Sequence, residues 1–209
     1  MEELKNEIEF KLQKGSKIEL FRKLITYPLV PEYASESQMQ KAVAIVALPF
    51  NSYLEGNQPD KSNQKIAEIV AEYITQYKIP FYGQREQGNI LKKILPQELQ
   101  DLIYIAKSED GERVQSQRII EWQAKQVEKL KKGGKVITIG MPEHLGRIVL
   151  LQDYFGLTGL ISAKSKEIPY DESDRPGAQD WAKNRKRFSE YEKTVARVGT
   201  IVAILVSRI

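Results

Sequence analysis

Glu143, His144 and Arg147 are the residues whose types and spacing could do chemistry together, and His144 is the one histidine of the 209-residue chain. A histidine and an arginine at i and i+3 fall on one side of a first helical turn. There the arginine can hold an oxyanion by two parallel contacts, and the imidazole can offer a hydrogen bond that switches near neutral pH. Glu143 could fix the histidine tautomer or accept a hydroxyl from a ribose. In that reading Arg147 anchors negative charge and His144 is the titrating, catalytic group. The alternative for the same residues is a surface histidine beside a helix cap, with an ordinary solvated arginine.

Two further sets of polar residues stand where a ligand could reach them. Asn51 and Ser52 follow an apolar stretch and offer side-chain hydrogen bonds. Ser116 and Glu121 lie near the start of a helical pattern and could face the same crevice, although helix capping and surface charge account for them equally well. No glycine follows the first apolar stretch until Gly56, so the fingerprint of a dinucleotide-binding turn is missing. No Gly-x-Ser-x-Gly elbow is present to support a serine nucleophile.

The elements that must position these residues are legible in the hydrophobic pattern. Lys135–Gly140 reads as a buried strand, followed by a short polar turn and a helix that stops at Gly156. Ala42–Leu48 and Asp101–Ala106 read as further strands, with Ile79–Gly83 and Leu160–Ala163 as shorter ones. Pro80 argues that the third of these lies at an edge or begins there. Ile66, Ile69, Val70, Tyr73, Ile74 and Tyr77 make one face of a helix that Asp60 or Ser62 can cap. A second helix is expected from about Val114 to Lys132, ending at Gly133-Gly134, a helical turn over Ile90–Leu95, and a last helix from about Ala178 to beyond Ala196. Residues 164–178 form a polar loop long enough for a lid.

Strands alternating with helices imply a three-layer, Rossmann-like α/β fold: a mostly parallel sheet with helices on both faces. Residues 1–27 are helical in pattern, so the expected organisation is an N-terminal helical extension over 1–40 and a single α/β domain over 41–209. Parallel α/β sheets bind ligands where a strand tip opens into a helix, because backbone N–H groups and the helix dipole point there. That places the expected site at Glu143, His144 and Arg147.

Composition narrows the function classes. There are 32 basic and 28 acidic residues, a net +4, and the basic residues are interleaved with acids, so nucleic acid is not the expected partner. With no cysteine and one histidine, disulfides, thiolate metal sites and multi-histidine centres are excluded, and no metal is expected. The apolar run Thr200–Val206 is far shorter than the roughly 20 residues of a membrane span. The charged start Met-Glu-Glu-Leu-Lys-Asn-Glu lacks the apolar region of a signal peptide, so the expected location is the cytoplasm.

Over roughly residues 42–195 the chain resembles the YdcF-like (ElyC/SanA/YdcF) family of bacterial Rossmann-like proteins, most of which have no assigned reaction. The resemblance is carried by Val136-Ile-Thr-Ile-Gly-Met-Pro-Glu-His144-Leu-Gly-Arg147 running on to Gly156, by the helix bearing Ser116 and Glu121, and by Trp181 with the charged region Arg185–Glu192. It implies a nucleotide-like or S-adenosylmethionine-like ligand. Leu48-Pro49-Phe50 stands where the family has glycines, and Trp122 where an asparagine is expected. Two functions follow as expectations: a protein, enzymatic or not, that binds a small anionic or nucleotide-like molecule, and a catalytically degenerate module that binds a protein partner.

Overall fold

Alternate residues of the central strands are apolar on both sides, and that pattern requires cover on both faces of a sheet. The computed structural model describes residues 32–50, 61–106, 116–170, 184–194, 196, 198 and 199. Its strands are β1 (Ala44–Ala47), β2 (Phe81–Gly83), β3 (Ile103–Ile105), β4 (Lys135–Ile139) and β5 (Thr158–Ile161). They form a five-stranded sheet in the order β3-β2-β1-β4-β5, and every pairing is parallel. The three-layer Rossmann-like α/β fold is therefore present.

The helices among the described residues are α1 (Glu36–Met39), α2 (Lys61–Tyr77), α3 (Arg85–Ile94), α4 (Ser116–Lys129), α5 (Pro142–Tyr154) and α6 (Arg185–Lys193). On one face Ile45, Ala47, Ile137 and Ile139 pack against Ile66, Ile69, Val70, Tyr73 and Ile74 of α2. On the other, Ala44, Val46 and Val136 meet Val127 of α4, and Ile161 meets Leu145, Ile148 and Val149 of α5. Each fully buried aliphatic side chain contributes about 1.5–3 kcal/mol to folding, so the sheet is fixed by its two apolar faces.

Several boundaries differ from the pattern reading, each for a local reason. Pro80 precedes β2, and β2 is an interior strand between β1 and β3. Pro80 has no N–H to lose there, and its carbonyl accepts the Ile45 N–H at 2.8 Å. Gln97–Leu102 winds as a 3-10 helix, which shortens the expected strand over 101–106 to Ile103–Ile105. α3 runs a full turn and more N-terminal of Ile90, because Gly88 lets the helix lie directly on β3: a Cβ there would come within 2.3 Å of Ile105 Cδ1. β5 begins two residues before Leu160, and Ala163–Glu167 is a 3-10 helix. Ser62 lies inside α2, where its hydroxyl donates to the Pro169 carbonyl at 2.7 Å instead of capping.

α5 ends as expected, with Gly156 at φ +82°, a conformation that suits a residue without a Cβ. Residues 33–34 lie along β5: Tyr33 bridges Ile161 in parallel and the Ala34 N–H donates to the Ile161 carbonyl at 2.8 Å. The expected helical segment 1–27, the loops at 51–60 and 107–115, residues 171–183 with Trp181, and the run 200–206 lie outside the described residues.

Candidate functional site

From β1 the chain moves through β2 to β3 on one side, then crosses to place β4 on the other. The carboxyl ends of β1 and β4 thus mark the topological switch point, the usual ligand crevice of open α/β sheets. β4 ends at Ile139, and α5 starts at Pro142, a residue suited to a first helical position because its missing N–H is not needed there. Glu143, His144 and Arg147 therefore occupy the first two turns of α5, at the switch point.

The last helix completes this group. α6 lays Arg185, Phe188 and Glu192 along α5, and they meet Glu143, His144 and Arg147 in the same order. Arg185 Nε donates to Glu143 Oε1 at 2.5 Å. The Phe188 ring stands edge-on to the His144 ring, with centroids 6.2 Å apart. Arg147 donates from Nε to Glu192 Oε2 and from Nη2 to Glu192 Oε1, both at 2.9 Å. Glu192 is only 3% exposed and His144 8%.

Arg147 Nη2 also lies 2.6 Å from His144 Nε2. A guanidinium can only donate, so Nε2 is the acceptor and the imidazole proton resides on Nδ1. Burial, reinforced by the Arg147 charge and opposed by Glu192, lowers the His144 pKa to about 4. The imidazole is thus neutral at pH 7 and is committed to orienting Arg147. The Arg147–Glu192 pair is a two-point carboxylate fork of the kind arginine uses for ligand oxyanions, here closed by the protein itself.

Beside this polar group the crevice is filled with rings. Phe50, at the exit of β1, packs against Tyr170 at 5.0 Å and Phe188 at 4.9 Å between centroids. Asn63 fixes the Phe50 backbone, its Oδ1 accepting the Phe50 N–H at 3.0 Å and its Nδ2 donating to the Phe50 carbonyl at 2.7 Å. Phe188 is the main apolar contribution of α6, about 1.5–3 kcal/mol. The Arg185–Glu143 pair, with Arg185 half-exposed and Glu143 largely buried, adds about 1 kcal/mol, and a buried fork is close to neutral against its desolvation.

Four expected residues remain. Asn51 and Ser52 lie outside the described residues. Ser116 opens α4 and is half-buried, and Glu121 pairs with Lys125 at 2.7 Å on the helix surface. The buried polar residue of α4 is Gln123, whose Nε2 donates to the carbonyls of Tyr82 at 2.9 Å and Ala47 at 3.3 Å. Gln87 of α3 is also fully buried and donates to Asn63 Oδ1 at 3.4 Å. The Oε1 atoms of both glutamines are buried with no hydrogen-bond partner.

Pattern reading missed Gln123, Gln87, Asn63 and the pairing of Glu192. A signal existed for Gln123, which interrupts the inward row Ile119–Val127, and for Glu192, four residues from the phenylalanine of a charged helix. Gln87 and Asn63 carried none.

Among the described residues no helix is long and apolar enough to cross a membrane, and no three histidine, aspartate or glutamate residues cluster as a metal site would require. No family model, curated protein or solved structure matches this chain.

Proposed function

We propose that this chain binds a small anionic, nucleotide-like molecule at the carboxyl edge of its parallel sheet, as a YdcF-like α/β protein. The observation that carries the reading is the coincidence of the β1–β4 switch point with the start of α5, where Glu143, His144 and Arg147 sit together. The helix dipole favours negative charge at that end, and Arg147 supplies the matching fork. In this role His144 is a neutral acceptor that aims the guanidinium. It becomes a proton carrier only when Arg147 turns from it to a ligand.

Phosphate, AMP and S-adenosylmethionine are the first probes. A ligand that binds only the folded state raises the melting temperature. A rise of several degrees with one of them, abolished in the double variant His144→Ala/Arg147→Ala, is the expected result. A rise that survives in the double variant puts the site elsewhere. The second reading, a protein-interaction module without chemistry, is favoured by the aromatic filling of the crevice by Phe50, Tyr170 and Phe188. It predicts no rise with any of the three probes and a partner protein whose binding needs the same face.

A further inference from the structure

Arg147 is oriented by its own helix through His144, but the carboxylate that fills its fork arrives from a separate element. α6 is nine residues long and carries Arg185, Lys186, Arg187, Glu190, Glu192 and Lys193. It buries only Phe188 and Glu192. In this strongly charged helix one ring and one carboxylate are buried, and the carboxylate occupies the fork that an oxyanion would.

We infer that Glu192 is a resident stand-in for the oxyanion of the ligand, and that α6 is a displaceable seal on the site. This inference rests on the ligand-binding reading above and specifies its ligand class. The molecule must present two oxygens on one carbon or phosphorus, in the fork spacing that the Glu192 carboxylate now satisfies. Binding exchanges the Glu192 fork for the ligand fork. Phe188 then leaves Phe50 and the His144 ring, and α6 lifts from α5. Arg185 releases Glu143 in the same movement, freeing a carboxylate whose Oε2 already lacks a hydrogen-bond partner. That carboxylate can then accept a ligand hydroxyl.

Hydrogen exchange of the full chain with and without inorganic phosphate, and with and without AMP, at constant ionic strength tests this. Acetate serves as the carboxylate arm. The expected result is faster amide exchange across 185–193 on ligand addition, while the amides of β1, β4 and the body of α5 keep their protection. Glu192→Gln keeps a hydrogen bond to Arg147 but removes the competing charge, and its affinity for the same probe should rise at least fivefold. Binding with unchanged exchange over α6 and equal affinity in Glu192→Gln overturns the seal and leaves the ligand-binding reading in place. Absence of binding by every probe to both proteins overturns the two together. Should Glu192→Gln fold poorly, the exchange of the unaltered chain decides.

Discussion

At the end of β4 the buried Glu192 carboxylate finds both its oxygens a donor on Arg147, whereas at the ends of β1 and β2 the buried amides leave acceptors unmet. His144 and Glu192 both bond to the Arg147 guanidinium, which serves as the bridge between them. One and two strands away, Gln123 and Gln87 spend their N–H groups on Ala47, Tyr82 and Asn63 and leave both Oε1 atoms without a partner. The difference is one of charge. An amide acceptor left alone costs about 1–3 kcal/mol, while a buried charge left alone costs several. The Arg147 charge must therefore be met, and the neutral region can carry unmet acceptors as long as its donors hold the carboxyl edge of the sheet.

The sharpest way to break that comparison is to remove one charge. Glu192→Ala removes both carboxylate contacts of Arg147 and should lower stability by about 3 kcal/mol, read as a shifted urea midpoint at constant slope. The double replacement Arg147→Met/Glu192→Leu should recover most of that loss, since a buried pair is near neutral against hydrophobic side chains. A loss under about 1 kcal/mol for the single variant would mean that water, not Glu192, satisfies Arg147.

Acid tests the same three residues. The folded pKa of His144, about 4, lies below the unfolded value of 6.5. Between those pH values the unfolded chain binds the extra proton, so stability rises with pH. The contribution is fully present above pH 6.5 and is lost as pH falls from there through 4, with a scale on the order of 3 kcal/mol. His144→Gln keeps an acceptor for Arg147 and should flatten this part of the pH–stability profile. An unchanged slope in that variant assigns the acid sensitivity to other groups.

The smallest effects belong to the neutral region, and they should differ in sign. Gln123→Leu strands the Ala47 and Tyr82 carbonyls and should cost about 1–2 kcal/mol. Gln87→Leu removes one long hydrogen bond together with an unmet acceptor, so it should be neutral or stabilising by up to about 1 kcal/mol. Equal losses at both positions, in the same denaturation assay, would erase the distinction drawn between them.

How much of this was legible differs by residue. The apolar runs around Ala44–Ala47 and Lys135–Ile139 declared buried strands, because both faces had to be covered. Ile66 to Ile74 declared α2 through their helical spacing. The N-terminal half of α3 was not legible, since Arg85-Glu86-Gln87-Gly88-Asn89 looks like a loop until Ile105 is seen against Gly88. His144 and Arg147 were readable as neighbours from their i, i+3 spacing. Their engagement with Glu192, 45 residues from Arg147, was not, because no local pattern records which helix packs on which.

The sequence by itself determined the class of fold, the alternation of strand and helix, and the coincidence of the one histidine with a strand-to-helix junction. These follow from short-range rules: periodicity, turn residues, and the need to bury apolar runs. Only the tertiary structure decided that β4 lies beside β1, so that this junction falls at the switch point. It alone decided that α6 brings a carboxylate to Arg147, and that burial holds His144 neutral. Charge state and hydrogen-bond partners depend on what surrounds a side chain in space, and spacing along the chain carries no record of that.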